Sequence, residues 1–596
     1  MARSSSIRVS GPAPVRSTKL SLVPLGTRST ERRLANPSAS RHRITSRQAH
    51  GTPAGRSNAH SGRSFIGSLW QELSTYAFIF TCLFLTHAPL LRLPYFWDEA
   101  GYFIPAARDL LLTGSLVPHT TLSNAHPPLV MIWLAFWWKF SAFTPAVTRT
   151  AMLMVAAFAL LGLWRLARTV AGDSVAIATV LCTALYPVFF AQSSLAHLDM
   201  MAAAFTLWGL AMYVEGRATA TVVFLSLAPL AKETAVVTPM ALLVWELVCP
   251  LLERHNGNAK AAPQSLCISR GSLHALRFCI CLGPLLVWFA YHHHRTGFYV
   301  GNPEYLRYNL QATITPLRIG LALLIRLWHV FGYLNLFLLT LGALYAMCHA
   351  PLPEPGGGGL RPRIAINVQL VFLVVLGANL VAESVLGGAV LARYMLPVVP
   401  LVILVCVSTM RRRLRHWSWW IGFACVAFVV QLLVPPPYRI APEDTLLYRD
   451  YVVLHKLAAD KLAEHPNARV LTAWPASDEL TRPFLGYVKQ PLTVVRVENF
   501  SAPEIERAAQ AGEDFDSAYL FSTKWEPLHP LFPWLTFGKA VQERFFDYRQ
   551  DTLPSVAADI LGGRVSSYRN RNNEWVAVIS IERVENAKLP RVPGLH

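Results

Sequence analysis

The chain has 596 residues, of which 53% are apolar and only 15% charged, and its mean hydropathy is +0.35. Charge that sparse, with apolar runs of about 18 residues or more, excludes an ordinary soluble protein and points to a polytopic membrane protein. The formal charge of +19 is unevenly placed: residues 1–65 carry twelve Lys/Arg against one acid, whereas residues 436–596 carry nineteen basic and twenty-one acidic side chains.

Residues 1–65 are rich in Ser, Arg, Pro and Gly and show no apolar period, so they read as a disordered basic cytoplasmic tail. Nothing before Phe65 has the apolar core of a signal peptide near the terminus. Basic side chains on the cytoplasmic side fix membrane orientation, so the tail is read as a topology signal rather than as a nucleic-acid-binding arm.

Apolar spans are expected at about 74–94, 148–168, 174–191, 200–215, 219–231, 234–250, 276–293, 319–347, 365–382, 394–410 and 418–434. Eleven spans and a cytoplasmic N-terminus place the C-terminus outside. Basic clusters at Arg165/Arg168, Arg217, Arg254/Lys260/Arg270, Arg361/Arg363 and 411–415 fall in the loops that this topology puts inside. Segment 127–143, with Trp133, Trp137, Trp138 and Lys139, suits an interfacial helix better than a span.

The first outer loop holds Phe96-Trp-Asp-Glu-Ala-Gly-Tyr-Phe103 and then His126-Pro-Pro-Leu129. Adjacent carboxylates at the mouth of a span are costly to desolvate, which makes Asp98 and Glu99 a functional-site hypothesis. The plainer reading is a solvated loop in which Asp98 caps a helix beginning at Glu99. Seven of the thirteen acids in the membrane part fall on the outer side: Asp98, Glu99, Asp109, Asp199, Glu233, Glu304 and Glu383. Polar chemistry gathered at one face favours an interfacial enzyme over a coupled transporter, which places ionisable groups near the midplane.

Beyond Pro435-Pro-Pro437 the composition changes. Residues 446–464 have a helical pattern, and 469–474, 492–497, 517–521 and 574–580 read as strands. Ser501 and Glu504 suggest a capped helix over 501–511. This is a small α/β domain. All nine cysteines lie before it, as suits an extracytoplasmic domain without disulfides, and no cysteine spacing suggests a metal site.

Five motifs then carry a resemblance: Asp98-Glu-Ala-x-Tyr102, His126-Pro-Pro-Leu129, Leu195-Ala-His-Leu-Asp199, Leu230-Ala-Lys-Glu233 and Arg393-Tyr-Met-Leu-Pro397. Over residues 66–435 the chain resembles the protein O-mannosyltransferase superfamily. Its bacterial branch includes lipid A aminoarabinose transferases and envelope galacturonosyl- and mannosyltransferases. The resemblance implies an all-α polytopic membrane protein with the type C glycosyltransferase fold, about 11 transmembrane helices and interfacial helices at 99–113 and 127–143. It implies transfer of a hexosyl or pentosyl unit from a polyprenyl-phosphate donor to a glycan, lipid or protein acceptor, at the outer face of the bacterial inner membrane. The domain at 436–596 shows no such match. Pro105 departs from the pattern and suggests a kink in the first interfacial helix.

On this resemblance Asp98 is the candidate general base or acceptor-orienting group, because a hydroxyl is a poor nucleophile until its proton is taken. Glu99 either supports Asp98 or pairs with a basic residue. His126 would hydrogen-bond acceptor or phosphate, or is an interfacial histidine. Asp199 would orient a sugar hydroxyl, or is a solvated loop acid. Lys232 and Arg393 are candidates for the donor phosphate, whose departure develops negative charge that fixed cations stabilise; the alternative is snorkelling to headgroups. Glu233 is expected to pair with a cation. His292-His-His294 reads as an interfacial belt rather than a metal site. Tyr299, Tyr305 and Tyr308 are weaker candidates for contact with sugar or lipid. No cofactor is called for, and a divalent cation stays open. Asp98 on one side of the anomeric carbon and the cations on the other would give a single displacement with inversion. The other classes carried forward are a polysaccharide polymerase or ligase, and a lipid or polysaccharide transporter.

Overall fold

The computed structural model describes residues 61–255, 272–307, 313–355, 359–386, 388–511, 514–529 and 539–581. The basic tail up to residue 60, Lys260, Arg270 and Tyr308 lie outside them.

Helix α1 (Ser61–His87) ends at Pro89 in a short turn. His87 is buried there and joins the Leu83 and Phe190 carbonyls at 2.8 and 3.0 Å. A π-helical turn at Glu99–Phe103 follows and runs into α2 (Ile104–Thr113). Pro105 therefore sits in the first turn of α2, where its missing N–H is tolerated, and the expected kink is instead a widened turn before it. α3 (Leu129–Phe140) lies against α4 (Pro145–Ala171): the Trp133 indole donates to the Ala151 carbonyl and Trp138 to Thr148 Oγ1, both at 3.0 Å.

α5 (Asp173–Leu185) and α6 (Pro187–Gln192) lead to α7 (Leu198–Val214), whose face is buried almost all round, and to α8 (Ala218–Ala231). Small residues let these backbones approach closely. A Cβ on Gly162 of α4 would come within 2.7 Å of the Trp208 ring, and one on Gly209 of α7 within 2.5 Å of Leu225 in α8. The chain continues through α9 (Val237–His255), α10 (Ser272–Ile280), α11 (Gly283–Thr296) and the short α12 (Pro303–Leu306).

The segment expected as one long span at 319–347 is two helices, α13 (Pro316–Phe331) and α14 (Phe337–Met347). Leu334 and Asn335 take positive φ (48° and 67°) at the break. Arg318 near the start of α13 donates to the Gly388 carbonyl at 3.1 Å, while Tyr333 just past its end donates to Asp444 at 2.6 Å. Both ends of α13 are thus held at the same end of the bundle. α15 (Ile366–Val385), α16 (Val399–Arg413) and α17 (Trp417–Leu433) complete the helical part.

A helix or pair of helices occupies each segment read as a span. Among the described residues six are long and apolar enough to cross a membrane, and six shorter apolar helices accompany them. The chain is a polytopic membrane protein of mostly helical build. At one end of the bundle Arg165 binds Glu72 and Glu215, both at 2.6 Å, and Arg411 binds Glu354 at 2.9 Å. The opposite end carries the sheet.

That C-terminal part begins with α18 (Leu447–Leu462) and builds one five-stranded sheet in the order β2-β1-β3-β5-β4. β1 (Arg469–Ala473) pairs in parallel with β2 (Thr493–Val497) and β3 (Ser517–Phe521). β5 (Glu574–Ile581) runs antiparallel to β3 and to β4 (Gly563–Arg571). β4 escapes notice in the sequence because it is an exposed polar edge, bulged between Val565 and Ser567. Helices α19 (Ala476–Thr481), α20 (Ala502–Gln510) and α22 (Pro554–Leu561) flank the sheet, and α21 (Lys539–Phe545) is a peripheral helix with no buried residue. α20 forms as expected, but Ser501 makes no capping bond; Glu504 instead accepts from the Glu498 N–H at 3.3 Å.

Candidate active site

The loop after α1 is fixed first by Glu99. Its carboxylate is fully buried and accepts from the backbone N–H of Phe96 (2.8 Å) and of Ala196 (2.6 Å). Arg149 of α4, also fully buried, pairs with it at 3.4 Å and donates to the Pro94 carbonyl at 2.8 Å. A buried ion pair holds only if its remaining hydrogen bonds are met, and here they tie three segments together. Glu99 is therefore turned inward, with both oxygens occupied. Of the two readings the sequence left open for Glu99, pairing with a basic residue is the arrangement found, with Arg149 as the partner.

Asp98, one residue earlier, faces the other way and caps nothing. Arg393 Nη2 donates to its Oδ2 at 2.5 Å. Trp97 just before it holds φ +40°, a conformation that costs a non-glycine residue on the order of 1–3 kcal/mol and persists where the surroundings enforce it.

Arg393 is the centre of the cluster. It lies in a short turn (Ala392–Met395) between α15 and α16, 4% exposed. Nη1 donates to Glu443 at 2.8 Å and to the His197 ring at 2.9 Å. Asp199, in the first turn of α7, stands 3.4 Å from Nε, near enough to attract but not aligned, so the Nε–H has no hydrogen-bond partner among the described residues. Asp199 Oδ1 takes a 2.6 Å bond from Lys232, whose ammonium sits 3.6 Å over the Tyr394 ring. A small hollow lies beside this pair, lined by Asp199, Lys232, Asn379, Glu383 and Tyr394 among others. Glu233 accepts from His126 at 3.0 Å, one shell out.

Four sequence candidates thus meet: Asp98, Asp199, Lys232 and Arg393. Three features had been invisible. Glu443 sits at the start of what reads as a separate domain, yet it belongs to this cluster. Its second oxygen is buried without a partner among the described residues, and its only sequence signal is the Glu-Asp pair just after a span. Burial pushes its pKa up; Arg393 opposes this and the carboxylates of Asp98, Asp444 and Asp199 reinforce it, leaving it at about 8. Asp444 is pushed by burial to about 6, with the Tyr333 hydroxyl pulling the other way. His197, although inside a quoted motif, and Arg149, at the start of a span, were also not singled out as functional groups.

The expected separation of Asp98 from the cations is corrected: Asp98 and Arg393 touch. A buried guanidinium with no anionic ligand takes the nearest carboxylates. Asp98 and Glu443 each give one oxygen to Arg393, and Asp199 lies between Arg393 and Lys232. Among the described residues no three His, Cys, Asp or Glu side chains gather at metal-holding distance. Of the remaining candidates, His292 is tied to Ser123 and to the Phe298 carbonyl, each at 2.7 Å. His293 stacks on Tyr299.

No family model matches the chain, and no curated protein does. Among solved structures it is similar to ArnT from Cupriavidus metallidurans, bound to undecaprenyl phosphate and in the apo state. The TM-score is 0.45 and the identity 15%, covering 86% of this chain and 98% of that one. It is also similar to the archaeal oligosaccharyltransferase AglB from Archaeoglobus fulgidus, in complex with an inhibitory peptide and a dolichol-phosphate. There the TM-score is 0.41 and the identity 11%, over 86% of this chain and 74% of that one. These likenesses carry no residue roles across; the functional reading rests on the side chains above.

Proposed function

We propose that this chain is a membrane glycosyltransferase of type C fold. It moves one sugar from a polyprenyl-phosphate donor to an envelope acceptor, a glycolipid, polysaccharide or protein, outside the bacterial inner membrane. The observation that carries the reading is the convergence of Asp98, Asp199 and Glu443 on Arg393, with Lys232 bound to Asp199. Residues from motifs scattered over the chain form one buried cluster at the ends of apolar helices. The orientation is supported by the arginine clusters at 165–168 and 411–413, which lie at the end away from that cluster. The count of eleven spans belongs to this same reading.

In the reaction the acceptor oxygen attacks the anomeric carbon and the carbon–oxygen bond to phosphate breaks. Asp98 takes the acceptor proton, and Arg393 and Lys232 balance the charge left on phosphate. Without donor, Asp98 and Arg393 satisfy each other. Donor phosphate competes for the Arg393 fork and releases Asp98, so the base is freed only when the donor is in place. Phosphate needs no acid behind it as a leaving group, so one displacement with inversion suffices.

Mass analysis of envelope glycans from cells with and without the protein should show one sugar missing in its absence. NMR of donor and product should show inverted configuration. Unchanged glycans sink the function; retained configuration sinks the base role of Asp98. A protease site placed at Gln490 should be cut from outside in intact spheroplasts, and cutting only after lysis would reverse the orientation.

Glu443 gives a pH signature. Below about pH 8 it holds its proton; above, its charge competes with phosphate for Arg393. Donor KM should rise as pH passes about 8, and Glu443→Gln should flatten that rise. The extra proton in the folded state likewise means that this carboxyl's stability contribution falls as pH rises from its ordinary range toward 8. An identical pH profile in the Gln variant removes Glu443 from the donor site.

A further inference from the structure

The sheet part sits directly on the turn that carries Asp98. Trp474, at the end of β1, packs against Trp97 with ring centres 5.5 Å apart and against Tyr102 at the same distance. It also fills the space over Gly101, where a Cβ would come within 2.6 Å of the indole. From the other side Tyr451 of α18 meets Phe96 at 5.1 Å and Trp97 at 5.5 Å. Tyr95 is gripped through its backbone: its N–H donates to the Leu485 carbonyl (3.3 Å), and its carbonyl accepts from the Tyr487 hydroxyl (2.9 Å).

The same grip closes around the turn's far side. Behind the Trp474 indole, Arg496 holds Asp478 at 2.8 Å. Arg482, paired with Asp478 at 3.6 Å, donates to the Thr120 carbonyl at 2.8 Å. Thr121 in turn donates to the Gly101 carbonyl at 2.9 Å. The C-terminal part thus reaches both faces of the π-helical turn, and the strained Trp97 lies between two of its aromatic rings. A backbone held at positive φ without glycine needs such enforcement.

We infer that Trp474 is a positioning residue for Asp98: packed over Gly101 and against Trp97, it sets the aim of the carboxylate. The C-terminal part is then an integral wall of the active site. This rests on Asp98 being the base. Trp474 touches no reacting atom; it acts through the turn, where a misplacement of about 1 Å can cost on the order of 10²-fold in rate.

The test is a cycle of Gly101→Ala and Trp474→Ala in the full-length protein, reading kcat and donor KM for each variant. Trp474→Ala should lower kcat by about 10- to 100-fold while donor KM stays within about twofold, because Arg393 and Lys232 are untouched. Gly101→Ala should cost about as much alone and little more in the Trp474→Ala background, since the indole it strikes is gone. Trp474→Phe, which keeps a smaller ring at the same place, should recover part of kcat. Full kcat in folded Trp474→Ala, or independent effects of the two substitutions, overturns the inference. If both variants behave as stated but Asp98→Asn is fully active, the turn is positioned for some other group and the base assignment fails instead.

Discussion

Asp98→Asn is expected to lower turnover by about 10²- to 10⁴-fold, the range for loss of a general base. The asparagine keeps the shape and one oxygen that can accept from Arg393, so the fold should survive. Donor binding should hold or tighten, because the carboxylate that competes with phosphate for the guanidinium has lost its charge. The result to look for is a fall in kcat with donor KM equal or lower, measured on purified protein with a polyprenyl-phosphate sugar. Turnover within a few-fold of the parent would assign the proton to another group, with Glu443 the first to examine.

Arg393→Ala should be the most damaging single change. It removes the cation shared by Asp98, Asp199 and Glu443, all clustered in a poorly solvated site. Removing one partner of a buried pair costs about 3–5 kcal/mol in other proteins, and retention of the proton on Glu443 would soften that here. Loss of a charged donor to a developing anion adds about 10²- to 10³-fold in rate. Arg393→Lys should recover only part, since an ammonium lacks the planar fork that bridges several oxygens. The measurements are donor kinetics and thermal stability in the same detergent. A stable Arg393→Ala protein with unchanged donor kinetics would reduce the residue to a structural tie.

The helices were legible because apolar runs of membrane length have few alternatives. Asp98, Asp199, Lys232 and Arg393 were legible because charge at the end of such a run is costly enough to need a reason. Adjacency defeated the division of labour between Asp98 and Glu99: the two point different ways where the π-helical turn begins, and nothing in the pair of letters says which goes inward. Glu443 was hidden by its address, past a triple proline where a new domain seemed to start. α13 reads as part of a span by hydropathy, and only its arginines, bonded to the backbone at 383–391, reveal that it lies along one end. Contact between Trp474 and Gly101 joins residues far apart in sequence, which no local pattern can report.

The close packing of α4, α7 and α8 has a consequence for how the cluster can change. Asp199 heads α7, Lys232 follows α8, and Arg149 on α4 anchors the turn that bears Asp98. Missing Cβ atoms at Gly162 and Gly209 set the spacing of these three helices, so those walls form the fixed jaw of a vice. Arg393 is mounted differently, on the link between α15 and α16, and Glu443 on the link that leads out of α17. Those two links lie outside that glycine-packed unit. On the proposed function, a site for a different sugar or a bulkier acceptor is to be sought by altering them, because enlargement between α7 and α8 would pull Lys232 from Asp199.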